Sequence, residues 1–314
     1  MIPTVMRFAV LVLMAVTSSV VSAQGARPAA ETRIWDVRAN RFVGESKLVT
    51  ELAAARYRLL GEVHDNAAHH VIRARLIAAI ASTGARPAVV LEQFDLDHDE
   101  TLIAAQAGGA DAEQLAKAGQ LDRKGWQWPL HKPILEAALA HHLPIRAGNL
   151  PRAQLREEEH VADERSKTIG YARFRAARWT EAQAAALRRY PHAAHCGQAP
   201  GVAIPRIVLA QRLRDAATAQ ALVDAATPSG AILIGGNGHV RSDLGVPVYL
   251  HAPGQPDAGA RSMSLGLIEV TPEDELAADF PRQVVSANPG FDYLWLTPPA
   301  VREDPCANLK MPAR

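Results

Sequence analysis

Two short apolar runs that break at glycine and then reach a histidine constrain this chain more than any other feature. They are Leu59-Leu60-Gly61-Glu62-Val63-His64 and Ile232-Leu233-Ile234-Gly235-Gly236-Asn237-Gly238-His239, each holding Gly-x-x-His. A short run that is apolar without alternation fits a strand buried on both faces, as in a parallel sheet covered by helices. In such sheets ligands sit beyond the carboxyl ends of the strands. A glycine at that point lets the chain turn sharply and pass close to its neighbours. The two exits therefore predict that His64 and His239, distant in the chain, face one cleft. Glu62 and Glu92, the latter at the end of a third apolar run from Ala88 to Leu91, belong to the same rim.

The rest of the chain repeats the alternation of strand and helix. Arg58 to Leu60 reads as a strand, and Ile72, Leu76, Ala79 and Ile80 give a helical period over 68–81. A weaker helical stretch covers 99–117, broken at Gly108-Gly109, and Pro133 suits the first turn of a helix reaching Ala140. Leu143 to Ala147 is a strand closed by Gly148-Asn149, and Ile204 to Ala226 a long helix with Pro205 near its start. Ala231 to Ile234, Val246 to Leu250, Leu265 to Val270 and Tyr293 to Leu296 complete the expected strands. This order predicts an α/β fold: a central, mostly parallel mixed sheet flanked by helices, with a helical insertion. The insertion, or lid, is 151–190, rich in Ala, Arg and Glu.

Residues 1–23 read as a secretory signal, with Arg7, the apolar stretch Phe8 to Val16, and a small-residue cleavage site ending at Ala23. The expected organisation is then a flexible leader over 24–33, one α/β domain over 34–300 and a C-terminal tail over 301–314. No cysteine follows the apolar stretch, so a lipid-modified terminus is not expected; the mature chain is read as a soluble periplasmic or secreted protein. The whole chain carries 34 Lys+Arg against 33 Asp+Glu. Arg7 is the one charged residue in the signal, so the remainder is balanced, which argues against a nucleic-acid partner. Export makes a disulfide between the two cysteines, Cys196 and Cys306, plausible, with two free thiols as the alternative.

A carboxylate beside an imidazole fixes its tautomer, raises its basicity or joins it on a metal. Glu62, His64, Glu92 and His239 are thus the candidate catalytic group, and His64, Glu92 and His239 the candidate divalent-metal ligands. The competing reading is that these groups merely satisfy one another at strand ends. His64 precedes a helix whose cap is Asp65 or Asn66, and the positive end of that helix favours a neutral ring. His69 and His70 lie in its first turn, read as facing solvent or the cleft mouth. On the long helix, Gln211, Asp215 and Thr218 interrupt an apolar stripe shared with Val208 and Leu222, so they meet the site or a buried network. Arg214 lies one step aside as an anion clamp or a solvated residue, and Asn237 and Arg241 flank His239. His192, His195 and Cys196 lack a fourth metal partner in sequence. Cys-x-x-Cys-His, Gly-x-Ser-x-Gly, P-loop and His-Glu-x-x-His motifs are all absent.

Ordered landmarks join these residues: Leu60-Gly61-Glu62-Val63-His64-Asp65-Asn66 with His69-His70, Leu91-Glu92-Gln93-Phe94, Gly125-Trp126 with Trp128 and Pro133, and Asn149-Leu150. Further on come His195-Cys196-Gly197, Ala210 to Asp215, Gly236 to Arg241 and Asp304-Pro305-Cys306. Through them the chain resembles the ChaN-type haem-binding-uptake family of the Tiki superfamily, from about residue 34 onward. The resemblance implies an exported haem-binding protein of iron acquisition, a homodimer, and service to outer-membrane uptake machinery. It also implies kinship with metal-dependent Tiki proteases, whose two Gly-x-x-His motifs and glutamate map onto His64, His239 and Glu92, and with erythromycin esterases. The chain departs from the family at His131, where an aromatic is expected, at Thr218 in place of Met, and in lacking the lipid-acceptor Cys.

Two functions follow as expectations. The first is haem binding, with His64, Asp65, His69, His70, Gln211, Arg214, Asp215, Asn237, His239 and Arg241 around the cofactor. Tyr57, Tyr171, Tyr190, Tyr249 and Tyr293 are possible donors beside the histidines. The second is a metal-dependent hydrolase on His64, His239 and Glu92. A partner-binding module that keeps the cleft unused is a third.

Overall fold

The computed structural model describes residues 33–161, 168–194, 203–275, 280–287 and 290–303. The chain opens with two short strands, β1 (Arg33–Asp36) and β2 (Arg41–Val43), and helix α1 (Glu45–Ala54). Then come β3 (Tyr57–Leu60), α2 (Ala67–Ser82), β4 (Ala88–Asp95), α3 (Asp99–Ala107), α4 (Ala112–Ala118), α5 (Lys132–Ala140) and β5 (Ile145–Asn149). Helices α6 (Arg152–Val161), α7 (Tyr171–Ala176) and α8 (Glu181–Ala194) precede the long α9 (Ile204–Ala225). The last part holds β6 (Ala231–Ile234), α10 (Asn237–Val240), α11 (Val246–Leu250), β7 (Ser262–Glu269), α12 (Pro272–Glu275), α13 (Phe280–Ala287) and β8 (Tyr293–Thr297).

The eight strands form one mixed sheet in the order β2-β1-β8-β7-β3-β6-β4-β5. From β8 to β5 every pairing is parallel, and only β1 with β8 and β1 with β2 are antiparallel. Each parallel strand alternates between two apolar layers. Leu60, Val89, Leu91, Ile232 and Ile234 face one, which α1, α2 and α5 cover. Tyr57, Leu59, Val90 and Leu233 face the other, under α9 and α11. Burial on both faces is why the strands read as unbroken apolar runs. Each fully buried Leu or Ile contributes about 1.5–3 kcal/mol, so this double-sided core is what holds the strand ends in place.

Several local expectations change. Val246–Leu250, expected as a strand, is the helix α11. Pro247 lies in its first turn, where a missing N–H costs nothing, while Val246, Tyr249 and Leu250 fall on one buried face. Arg33, expected as the last residue of a leader, pairs in β1 with Leu296 of β8. Helices α6, α7 and α8 pack on α9, with Leu150, Leu155, Tyr171, Leu213 and Ala217 forming one apolar cluster there. The signal segment and both cysteines, Cys196 and Cys306, lie outside the described residues. No described helix is long and apolar enough to cross a membrane.

Candidate functional site

Register builds the rim. Leu60 of β3 pairs with Ile234 of β6, and Ile234 pairs with Leu91 of β4, so Gly61, Gly235 and Glu92 emerge side by side. Asn237 ties the exits together: its N–H donates to the Glu62 carbonyl at 3.0 Å, and its Nδ2 to the Leu267 carbonyl at 2.8 Å. That crossing leaves no room at residue 61, where a Cβ would lie 2.2 Å from Asn237 Oδ1. Here glycine is demanded by close approach. Beyond the rim lies an open cleft of about 440 Å³ lined by Glu62, Val63, His64, Gln211, Gly236–Gly238, His239, Arg241 and Phe291. That volume is in the usual range for small-ligand sites.

Glu62 is buried and organises one side of the cleft. Its Oε1 accepts from His64 Nδ1 at 2.7 Å, and its Oε2 meets the guanidinium of Arg73 and lies 3.2 Å from His70 Nδ1. With Nδ1 donating to the carboxylate, His64 keeps its Nε2 lone pair free. The His64 side chain is 48% exposed, with the edge of Trp126 against it at 4.9 Å between ring centroids. Partial loss of water lowers the His64 pKa below the usual histidine value, with Glu92 opposing.

Helix α2 grips the loop that carries these groups. Asn66 caps the helix, its side chain accepting from the Ala68 N–H at 3.0 Å. Contrary to the expectation of solvent or cleft mouth, His69 and His70 are fully buried. His69 Nδ1 accepts from the Val63 N–H at 2.9 Å while its Nε2 faces Thr297 Oγ1 at 2.8 Å. His70 Nε2 donates to the His64 carbonyl at 2.9 Å, and its Nδ1 accepts from Arg73. Burial lowers both histidines to about 4, so they are neutral, as these hydrogen bonds require. They hold the site from behind.

The opposite side is a charged bracket around His239. Its Nδ1 lies 2.5 Å from Asp215 Oδ1 and 3.0 Å from Gln211 Nε2, and its Nε2 lies 3.2 Å from Glu92 Oε1. Burial alone would strip the ring of its proton, but Glu92 and Asp215 outweigh it and raise the pKa well above the histidine norm. Glu92 moves the other way: burial would raise it, yet the charge of His239 and the Gly236 N–H at 2.7 Å hold it well below the carboxylate range. Asp215 is raised by burial, with His239 opposing. His239 is therefore an imidazolium with both nitrogens engaged, and His64 a neutral ring with one nitrogen open.

The other expected residues divide between cleft and support. Arg241 lines the cleft and pairs with Asp243 at 2.6 Å. Arg214 is half-buried on α9, within electrostatic reach of Glu92 and Asp215. Thr218 turns away and donates to the Gly148 carbonyl at 2.6 Å. Asp65 faces outward, bonded by Arg302 at 2.6 and 2.7 Å. Of the tyrosines, Tyr57 bonds Asp257, Tyr249 accepts from Arg212 and Tyr293 bonds Asp36, none of them at the cleft.

Sequence reasoning missed Arg73 and gave His131 no role in the site. Arg73 falls within the apolar stripe of α2 between His69-His70 and Leu76-Ile77, and a charge inside such a stripe is the signal that marks it. His131 sits beneath Glu62, 3.5 Å from its Oε1, with burial pulling it down to about 2. Among the described residues, Glu62, His70 and His131 bring ligand atoms within 4.8 Å of one another, a spacing that can hold a metal ion. Arg73 already places a guanidinium against Glu62 and His70 there, and its charge competes with any ion.

The sequence profile described as "Haem-binding uptake, Tiki superfamily, ChaN" matches residues 48–250. No curated protein matches the chain. Among solved structures, cofacial haem-bound ChaN of Campylobacter jejuni superposes with a TM-score of 0.65 at 18% identity, covering 85% of this chain and 96% of that one. The type III effector HopBA1 gives a TM-score of 0.39 at 12% identity, over 70% of this chain and 81% of its own.

Proposed function

This chain belongs to the ChaN family of haem-binding uptake proteins in the Tiki superfamily, and on that ground we propose an exported protein that binds haem for iron uptake in the cleft beyond its strand ends. The cleft is the observation that carries this reading. It is open, its lining includes the side chains of Val63 and Phe291, and it offers the His64 imidazole, with Arg241 paired to Asp243 at its edge. An axial donor and apolar contact for the ring are among the parts haem needs. Bound haem supplies an iron centre that takes donors from the protein. The remaining residues position: Asp215 and Glu92 fix His239, and Asn237 joins the strand exits. Titrating the apoprotein with hemin tests this, with a saturable Soret shift expected; a featureless, non-saturating spectrum overturns it.

Removal of residues 1–23, a single domain over 34–300 with 151–190 as a lid, and a Cys196–Cys306 disulfide belong to the same proposal. So do a homodimer and delivery of haem to an outer-membrane partner. Intact mass of the exported protein, with and without reductant, checks the cleavage and the disulfide together.

A second reading, a hydrolase, is supported by the opposite protonation of the two cleft histidines. A neutral His64 backed by Glu62 suits a general base toward water, and the cationic bracket at His239 suits developing negative charge. In its metal-dependent form His64, Glu92 and His239 hold the ion, which must displace the proton from His239. Metal that copurifies with the protein and is lost in His64→Ala, together with no hemin shift, favours this reading over haem.

A further inference from the structure

We propose that the segment following β8 is a strap that locks the loop carrying His64, and that release of Arg302 from Asp65 and Glu269 opens the cleft. The strand ends at Thr297 because Pro298 and Pro299 follow, and neither has an N–H to continue the pairing. Two successive prolines make a stiff, extended spacer. The first N–H after them, on Ala300, donates to Glu269 Oε1 at 2.8 Å. Val301 then points to solvent and Arg302 back to the protein, the alternation of an extended segment.

Arg302 spreads its guanidinium over two carboxylates. Its Nε and Nη2 donate to Asp65 at 2.6 and 2.7 Å, and its Nη1 and Nη2 to Glu269, both at 2.6 Å. Asp65 is the residue after His64, so this grip acts directly on the cleft loop. Asn66 extends it, through Glu269 and the Pro298 carbonyl. The loop thus has two kinds of hold. On its inner side His69, His70 and the Glu62–Arg73 pair are almost wholly buried, shielded from water and salt alike. On its outer side the Arg302, Asp65 and Glu269 side chains are 30%, 29% and 15% exposed, so water and salt compete for the lock. With that lock broken, Asp65 returns to solvent and the strap lifts from Asn66. The His64 loop is then tied by its inner side alone. The lock is made by the chain itself and acts whatever ligand the cleft takes.

The test is hydrogen–deuterium exchange of the full mature chain, with diethyl pyrocarbonate as a probe of the open His64 Nε2, both read by mass spectrometry. That nitrogen now stands close to Gly236, where an added Cβ would lie 3.1 Å from it, so opening exposes it further. Arg302→Gln is expected to speed amide exchange over residues 61–66 roughly 3–10-fold and to raise the rate of His64 acylation, while β4 exchanges as in wild type. Raising NaCl from about 0.05 M to about 1 M does the same to wild type and adds nothing in Arg302→Gln. Asp65→Asn combined with Arg302→Gln opens the loop no further than Arg302→Gln alone, as two ends of one lock must. Exchange over 61–66 or acylation of His64 equal to wild type in Arg302→Gln overturns the proposal. So does faster exchange spread evenly across the domain, which is the mark of general destabilisation.

Discussion

At the scale of single residues, Glu62 decides the chemistry of the cleft. One oxygen orients His64 and the other meets Arg73, so a carboxylate that would be costly alone becomes the hub of a compensated buried network. The glycine before it is fixed just as firmly. Alanine at position 61 would bring a methyl group to 2.2 Å from Asn237 Oδ1 and 2.8 Å from Val240 Cγ2. Asn237 cannot retreat, since its side chain is bonded to the β7 backbone. Gly61→Ala is therefore expected to destabilise by about 1–3 kcal/mol, as overpacking does, read as a lower urea midpoint at an unchanged slope. Wild-type stability in that variant would show that the strand exits are not in contact.

At the scale of elements, α2 is the support on which the site is mounted. Its cap and first two turns supply Asn66, two neutral histidines that seize the preceding loop, and the arginine that compensates Glu62. Asn66 does more than cap: its Nδ2 reaches Glu269 at 2.7 Å and the Pro298 carbonyl at 3.1 Å, joining the helix to the far end of β7 and the segment after β8. Asn66→Ala loses the cap together with its bonds to Glu269 and the Pro298 carbonyl. The expected cost is about 1–3 kcal/mol, with faster amide exchange over residues 61–66. A loss of stability without that local change would mean the cap and the loop are independent.

At the scale of the whole molecule, buried histidines set the response to acid. His69 and His70 are lowered to about 4 and His131 to about 2, whereas the unfolded chain protonates each near 6.5. Between those values the unfolded state binds more protons, so stability falls as pH falls, by about 1.4 kcal/mol per pH unit for each histidine. Glu92 adds to the acid limb: its lowered pKa stabilises the fold above the ordinary carboxylate value and stops doing so as acid protonates it. His239 acts in the opposite sense, since its raised pKa stabilises the fold below about 6.5 and that gain is lost as pH climbs through the raised value. Urea unfolding at several pH values is expected to show a maximum near neutrality and a steep acid limb. His131→Phe should flatten that limb by about one proton. An unchanged slope in the variant would place the ring in water.

What the sequence by itself determined is the scaffold and the rim. Unbroken apolar runs interleaved with helical periods specify a parallel sheet buried on both faces, and glycine after such a run specifies a sharp exit, because both rest on local sterics and hydrophobic periodicity. The same locality explains the miss at Val246–Leu250, where apolar content fits strand and helix alike and Pro247 is what favours the helix. A neutral His64 was expected from the helix that follows it, but the charge on His239 and the network behind Glu62 were beyond local reading. They depended on Glu92 from β4, Asp215 from α9, and Arg73 with its neighbours from α2, brought within hydrogen-bonding distance only when the sheet closes. Protonation follows the electrostatic surroundings of a group in space, and chain order does not encode those surroundings until the fold assembles them.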